Sequence, residues 1–251
     1  MAETPRALVT GASYGVGAAT ALKLARDGYA VAVTATKKEN LAAIVRELEA
    51  TGARVVPVVL DLRVEASIEQ AAADVFAAFG GLDLLVNNAG ANLRKRVVEV
   101  TAQEWDAVMA TNVRGAFFLT QQVGRHLIGT GAGGAIVNIA STHALIGAAE
   151  RAVYGISKAA LVQMTRMLAV EWADYNIRVN AVAPGRMETQ SPSRAEKGAD
   201  KTYMEAMLRK IPLHRLATAE EVAAAVCYLA SPAAAAITGQ VLVMDGGLTA
   251  V

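Results

Sequence analysis

Cysteine, histidine and net charge are all scarce in this chain. The one cysteine, Cys227, allows no internal disulfide, which suits a reducing cytoplasm. Its place in an apolar helical stretch points to packing rather than to a reactive thiol. Only three histidines are present, His126, His143 and His214, so no histidine-rich metal site is expected. A formal net charge of +1 argues against a nucleic-acid partner held by bulk charge. No apolar run approaches the roughly 18 residues needed to cross a bilayer. Met1 to Arg6 lead straight into an apolar strand, without the basic and apolar regions of a signal peptide. The expectation is a cytoplasmic protein with no membrane or nucleic-acid partner. No internal repeat and no linker rich in Pro, Gly and Ser interrupts the chain, and 54% of its 251 residues are hydrophobic. Residues 1–251 are therefore read as one domain with a large core.

What is there is a repeating alternation. Short apolar runs cover Ala7 to Thr10, Ala30 to Thr34, Val55 to Leu60, Leu82 to Val86, Ala135 to Ile139, Arg178 to Ala183 and Val241 to Met244. They are continuous rather than alternating in polarity, as in strands covered on both faces. Helical patterns lie between them, at 16–27, 40–51, 67–79, 102–128, 152–174 and 218–230. Thr101-x-x-Glu104 and Thr218-x-x-Glu221 read as capping boxes, and Ser67-x-x-Gln70 as a weaker one. Strand–helix–strand repetition predicts an α/β fold, a Rossmann-type doubly wound parallel sheet of about seven strands with helices on both faces. The polar stretch from Thr189 to Pro212 breaks the rhythm and reads as a substrate lid over 189–212, or as a plain surface loop.

In an open parallel sheet, ligands bind beyond the carboxyl ends of the strands, and the unusual residues fall there. The first strand ends in Thr10-Gly11-Ala12-Ser13-Tyr14-Gly15-Val16-Gly17, a glycine-rich turn that opens a helix and can offer its N-terminus to a pyrophosphate. The G-x-x-x-G-x-G spacing is one residue longer than the usual dinucleotide fingerprint. The second strand ends in Ala35-Thr36-Lys37-Lys38, with no acid before Glu39. A hydroxyl and two cations suit a ribose 2′-phosphate better than a 2′-hydroxyl, which favours NADP(H) over NAD(H); two solvated lysines are the plainer reading. Asp61-Leu62 follows the third strand, where the carboxylate would meet an adenine edge or cap a turn. Asn87-Asn88-Ala89-Gly90 follows the fourth and suits unusual turn geometry. The fifth delivers Ser141 and the sixth Pro184-Gly185.

Tyr154 and Lys158 stand at i and i+4 of a helical stretch and so share a face. A free phenol, with a pKa of about 10, is a poor base near neutrality, and a close cation favours the phenolate. Such a pair beside a serine hydroxyl outlines a site that moves a proton on or off an alcohol. Taken singly, Asn112 would be a helix-surface residue and Ser141 a loop cap.

Together, Thr10-Gly11-x-x-x-Gly15-x-Gly17, Asp61, Asn87-Asn88-Ala89-Gly90, Asn112, Ser141, Tyr154-x-x-x-Lys158 and Pro184-Gly185-x-x-x-Thr189 resemble the short-chain dehydrogenase/reductase family in order and spacing, over essentially the whole chain. The resemblance implies a catalytic tetrad of Asn112, Ser141, Tyr154 and Lys158. Tyr154 would be the acid in ketone reduction and the base in alcohol oxidation, and Ser141 would hold the substrate oxygen. Lys158 would bind the nicotinamide ribose and favour the phenolate, and Asn112 would hold a water linking Lys158 to solvent. Thr189 would touch the nicotinamide carboxamide, and Asn88 would line the cofactor site. One departure is Tyr14, where several NADP-using relatives carry a basic residue. The sugar and gluconate dehydrogenase branch and the 3-oxoacyl-carrier-protein reductases are the nearest in pattern. Asn92, Arg94, His143, Glu150 and Arg186 would give a polar pocket for a small sugar, polyol or keto acid. Arg94, Lys95 and Arg96 read as a solvated turn, with a carrier-protein contact as the alternative. A homotetramer is also implied, built on helices 102–128 and 152–174 and on the C-terminal end, with Phe117, Phe118 and Trp172 at an interface or in the core. A nucleotide-binding sensor without turnover is the reading from another class.

Overall fold

The computed structural model describes residues 4–187 and 201–250. Seven strands, β1 (Arg6–Val9), β2 (Ala30–Ala35), β3 (Val55–Val59), β4 (Leu84–Asn87), β5 (Gly134–Ile139), β6 (Ile177–Pro184) and β7 (Val241–Met244), form one sheet in the order β3-β2-β1-β4-β5-β6-β7. Every pairing is parallel, so all seven carboxyl ends share one rim. The chain leaves β1 toward β2 on one side and returns through β4 on the other, which opens a crevice at the ends of β1 and β4.

Successive residues of a strand face opposite sides, and the core divides accordingly. Ala7 and Val9 pack with Leu24, Val33, Val86, Val137 and Val226, whereas Leu8 packs with Ala32, Leu85, Val123, Ile136 and Leu168. The first layer is covered by α1 (Gly15–Arg26), α2 (Ala42–Glu49) and, later in the chain, α8 (Ala219–Ala230). The second is covered by α3 (Glu65–Phe79), α5 (Ala116–Thr130) and α6 (Ala152–Glu171). Burial on both sides explains why β1, β2 and β4 read as unbroken apolar runs. Pro57 is tolerated because β3 is an edge strand.

The helix starts differ in kind. Thr101 opens α4 (Ala102–Met109) and Thr218 opens α8 with complete capping boxes, as the sequence predicts. Ser67 does not. Helix α3 begins earlier, at Glu65, and the Ser67 hydroxyl accepts from the Asp61 N–H at 2.9 Å. The side chain serves the strand-end turn instead of the helix. The single helix expected over 102–128 is three pieces: α4, a π-helical turn at Ala110–Gly115, and α5. The helix expected over 40–51 starts with a 3₁₀ turn, Lys38–Leu41, and that over 152–174 ends at Glu171, with a 3₁₀ turn at Ala173–Tyr175. Of the expected lid, α7 (Lys201–Leu208) is helical, while residues 188–200, Thr189 among them, lie outside the described residues. Among the described residues no helix is long and apolar enough to cross a membrane. Cys227 packs half-buried against the first layer, and burial, followed by the Asp27 charge, pushes its thiol up to about 12. A thiol held neutral in this way suits the packing role.

Candidate active site

The ends of β1 and β4 are tied into one unit. The Thr10 hydroxyl donates to Val86 O and accepts from the N–H groups of Asn88 and Ala89. Both Asn88 amide hydrogens go inward, to Thr10 O at 2.9 Å and Gly11 O at 2.8 Å. Gly11 adopts a left-handed φ of +62°. A Cβ at Gly17 would run into Gly11 O and stand 2.5 Å from the Asn88 amide nitrogen. Only glycine lets the start of α1 press this close, so Asn88 holds the turn together from beneath.

The turn fits a dinucleotide on its own evidence. Tyr14 sits at the N-cap of α1 without a side-chain cap, and the first turn holds no acidic residue. Helices α4 and α8, by contrast, satisfy their first N–H groups with Thr and Glu side chains. The start of α1 therefore offers unclaimed N–H donors and a favourable dipole to an anion. Ser13 and Gly15 flank Tyr14 on that turn, and Val16 is buried beneath it. Thr36 and Lys37 are exposed just past the end of β2, with Lys38 and Glu39 beside them. Thr34, two residues before Thr36 and on β2, braces Gly11 by accepting its N–H at the hydroxyl.

Asp61 performs the turn-capping half of its expectation. Its carboxylate accepts from the N–H, Nε and Nη2 of Arg63, the last at 2.6 Å. The Arg63 hydrogen bonds are the main reason its carboxyl is held below the usual range. Leu62 is buried next to it. Pro184 ends β6, and Gly185 donates its N–H to Met244 O while lying against Asp245.

Asn112, a tetrad member by resemblance, is not the helix-surface residue it would be if taken singly. It is fully buried. It stands in the π-helical turn, a feature often found where a helix must re-aim a side chain. Its Oδ1 accepts from Ala91 N at 2.6 Å, and its Nδ2 donates to Ala91 O at 2.8 Å and Ser157 Oγ at 2.9 Å. Both amide hydrogens are used, so the side chain clamps the loop after β4 to α6. Ser157 donates in turn to Tyr154 O at 2.7 Å. Sequence reasoning passed over Ser157, although it sits between Tyr154 and Lys158 in the same helix.

Lys158 is buried, and its Nζ donates to Ile139 O at 2.7 Å. It lies 5.8 Å from the centroid of the Tyr154 ring. Burial pushes its ammonium down to about 8. Gly90 closes the site from the β4 side: a Cβ there would stand 3.3 Å from Asn112 Oδ1 and 3.4 Å from Lys158 Nζ. Ser141 is buried at the end of β5, and its Oγ accepts from His143 N at 3.2 Å. That leaves its hydroxyl hydrogen available to donate.

Three of the polar residues expected around a substrate, Asn92, Arg94 and Glu150, are engaged in contacts along the rim. Arg94 pairs with Glu150 at 2.6 Å, Lys95 with Glu104 at 2.9 Å, and Arg151 donates to Asn92 at 2.8 Å. These contacts clip the loop after β4 to the segment before α6 and form a rim. Arg186 is exposed beyond β6. Of the three aromatic residues considered for an interface, Trp172 is buried and Phe118 packs against the second core layer, whereas Phe117 is 41% exposed.

Residues 11–249 match the family model described as enoyl-(acyl carrier protein) reductase. The 3-oxoacyl-[acyl-carrier-protein] reductase FabG of Thermotoga maritima is 39% identical over 241 residues, 96% of each chain. The NAD-dependent glycerol dehydrogenase of Listeria innocua is 37% identical over 243 residues, 97% of this chain and 93% of the relative. Among solved structures, a gluconate 5-dehydrogenase from Burkholderia cenocepacia, in complex with NADP and tartrate, superposes with a TM-score of 0.93 at 32% identity, covering 100% of this chain and 97% of the other. With likeness running almost end to end in both sequence and fold, the chain belongs to the short-chain dehydrogenase/reductase family and is an oxidoreductase that acts on CH–OH groups with a nicotinamide cofactor.

Proposed function

We propose that the chain interconverts a small polar ketone and its secondary alcohol, with Tyr154 exchanging the proton at the substrate oxygen. The observation that carries this reading is the buried Lys158, which lies 5.8 Å from the centroid of the Tyr154 ring and donates to Ile139 O, two residues before Ser141 on the rim beyond β5. The nicotinamide cofactor supplies or accepts the hydride. Ser141 donates its free hydroxyl hydrogen to the substrate oxygen and orients it. Tyr154 gives a proton to that oxygen in reduction and takes it back in oxidation. Lys158, held by Ile139 O, keeps a positive charge beside the phenol. Asn112 acts by position: its bonds to Ala91 and Ser157 fix the helix turn that carries Tyr154 and Lys158. Gly11, Ser13, Tyr14, Gly15 and Gly17 would hold the pyrophosphate at the start of α1, and Thr36 and Lys37 the adenosine ribose. Asp61, Leu62, Ala89, Gly90, Pro184 and Gly185 would line the remaining length.

NADP(H) is the proposed partner because Thr36, Lys37 and Lys38 stand exposed where a carboxylate would otherwise meet the ribose. Titrating NADPH and NADH against intrinsic fluorescence tests this. NADPH is expected to bind about tenfold tighter or better, the weight of one charge-assisted hydrogen bond; tighter NADH binding would refute the reading. A turnover screen of sugars, polyols, keto acids and oxoacyl thioesters with both cofactors tests the substrate class. Confinement of activity to the thioesters would favour the carrier-protein reductase reading, which the FabG relative brings forward. Against that reading, Arg94 and Lys95 already have acidic partners.

A homotetramer is part of the same proposal. An apolar groove between α5 and α6 is lined by Val113, Phe117, Ile128, Met164 and Met167. Val170, 82% exposed, borders a second groove beside β7. Apolar surface of this kind is commonly an interface. Native mass spectrometry is expected to find four copies; a monomer at micromolar concentration would remove the proposal.

A further inference from the structure

We propose that His143 is a substrate-recognition residue: its Nε2–H donates to an oxygen on the carbon next to the reacting one, so that the site selects α-hydroxy ketones and vicinal diols over simple ketones and alcohols. The inference deepens the ketone–alcohol reading of the Tyr154 site and rests on it.

The seat of His143 is unusually well defined for a loop residue. The Thr142–Ala144 3₁₀ turn begins at Ser141, whose Oγ accepts the His143 N–H. On the other side, the His143 carbonyl lies against Gly155, the residue after Tyr154. A Cβ at Gly155 would come within 2.9 Å of that oxygen, so a side chain there would push the turn off the helix. The two contacts lock His143 between the Ser141 strand end and the first turn of α6. Its ring stands edge-on to the Tyr154 ring, 6.1 Å between centroids and 83° between planes. The imidazole therefore borders the space next to the phenol.

The ring nitrogens then divide the work. Nδ1 is buried and has no hydrogen-bond partner among the described residues. A buried N–H without an acceptor is rarer than an under-satisfied acceptor, and the tautomer follows what each nitrogen can reach. We accordingly assign the proton to Nε2, the nitrogen not enclosed in this way. Adding a second proton would bury an unpaired donor at Nδ1. Burial, followed by the charge of Arg151, depresses the imidazole below its ordinary value, so the ring stays neutral through the physiological range. A neutral donor fixed beside the acid/base group, on the same turn as Ser141, is placed to read a second substrate oxygen. Arg94, Glu150, Lys95 and Glu104 are paired with one another on the rim, whereas His143 is a neutral donor bordering the phenol.

The test compares reduction of 3-hydroxybutan-2-one with that of butan-2-one, which lacks only the hydroxyl, using NADPH and NADH. Wild-type protein is expected to favour the hydroxyketone in kcat/KM by about tenfold or more, since one hydrogen bond to a pre-placed donor decides the difference. His143→Leu is expected to remove that preference, mostly through KM for the hydroxyketone, with a smaller change on butan-2-one. His143→Gln keeps an N–H near the Nε2 position and is expected to retain most of the preference. Equal losses on both ketones in the leucine variant would mean a structural wall and overturn the proposal. A glutamine variant that folds yet discriminates no better than the leucine variant would overturn it too. Wild-type turnover of both ketones without preference removes this inference alone. Turnover of neither, with either cofactor, overturns this inference, while the screen of sugars, polyols and keto acids decides the ketone–alcohol reading separately.

Discussion

Tyr154→Phe is expected to lower kcat by about a thousandfold, within the range general acid–base catalysis supplies, while NADPH still binds and the fold is kept. Tyr154 is only partly buried at the rim. Its backbone carbonyl, not its phenol, accepts from Ser157. Removing one oxygen atom therefore leaves the Asn112–Ser157 clamp and the first turn of α6 in place. Ser141 continues to orient the substrate oxygen, but no group is left to exchange its proton. The loss should fall on kcat and kcat/KM together, the signature of an interaction made in the transition state. Stopped-flow turnover with a cofactor-binding titration on the same variant checks both halves. A nucleotide sensor would keep its biological activity after this change, and an enzyme would not. Retention of more than about a tenth of wild-type kcat would place the proton transfer elsewhere.

Lys158→Met is expected to cut turnover and also to change how stability depends on pH. The ammonium is buried with one bond, to Ile139 O. Its fall from 10.5 to about 8 corresponds to about 3 kcal/mol of differential cost on charging, an order-of-magnitude figure. The sign follows from linkage. Between the folded value near 8 and the unfolded value of 10.5, the unfolded chain holds a proton that the folded chain has released. Unfolding free energy therefore rises with pH across that window, by at most about 1.4 kcal/mol per unit. The penalty is fully present below pH 8 and relieved above 10.5. Denaturant melts of the cofactor-free proteins from pH 7 to 10 are expected to show wild type gaining on Lys158→Met as pH rises. A constant difference would mean that the lysine is not strained by burial. The same substitution should cut turnover by about a hundredfold or more, because it removes the charge beside the phenol.

Much of this molecule was legible before any coordinates. The strands appear where unbroken apolar runs stand, because a parallel sheet covered on both faces has no polar side to interrupt them. Thr101 and Thr218 announced their helices because capping is a local exchange between side chain and backbone. Ser67 misled for the complementary reason. Its hydroxyl has two possible customers, the helix start and the Asp61 N–H, and only the packed turn decides between them. The break of the 102–128 helix into a π-helical turn was likewise invisible. The sequence around Asn112 carries no proline, and the groups that hold its side chain inside the turn are distant in sequence, Ala91 and Ser157.

The chain itself determined the sheet, the glycine-rich turn after the first strand, and the presence of Tyr154 and Lys158 on one helix face. Each rests on local periodicity or on the backbone freedom of glycine, and neighbours in sequence suffice for both. Tertiary structure alone decided that Asn112 is a buried clamp, that Lys158 is held by the carbonyl of Ile139, and that Arg94 and Glu150 form a rim. It also decided that His143 is seated against Gly155 with one ring nitrogen enclosed. Those facts depend on which backbone groups arrive from remote strands, and a main-chain carbonyl leaves no mark in the identity of its residue.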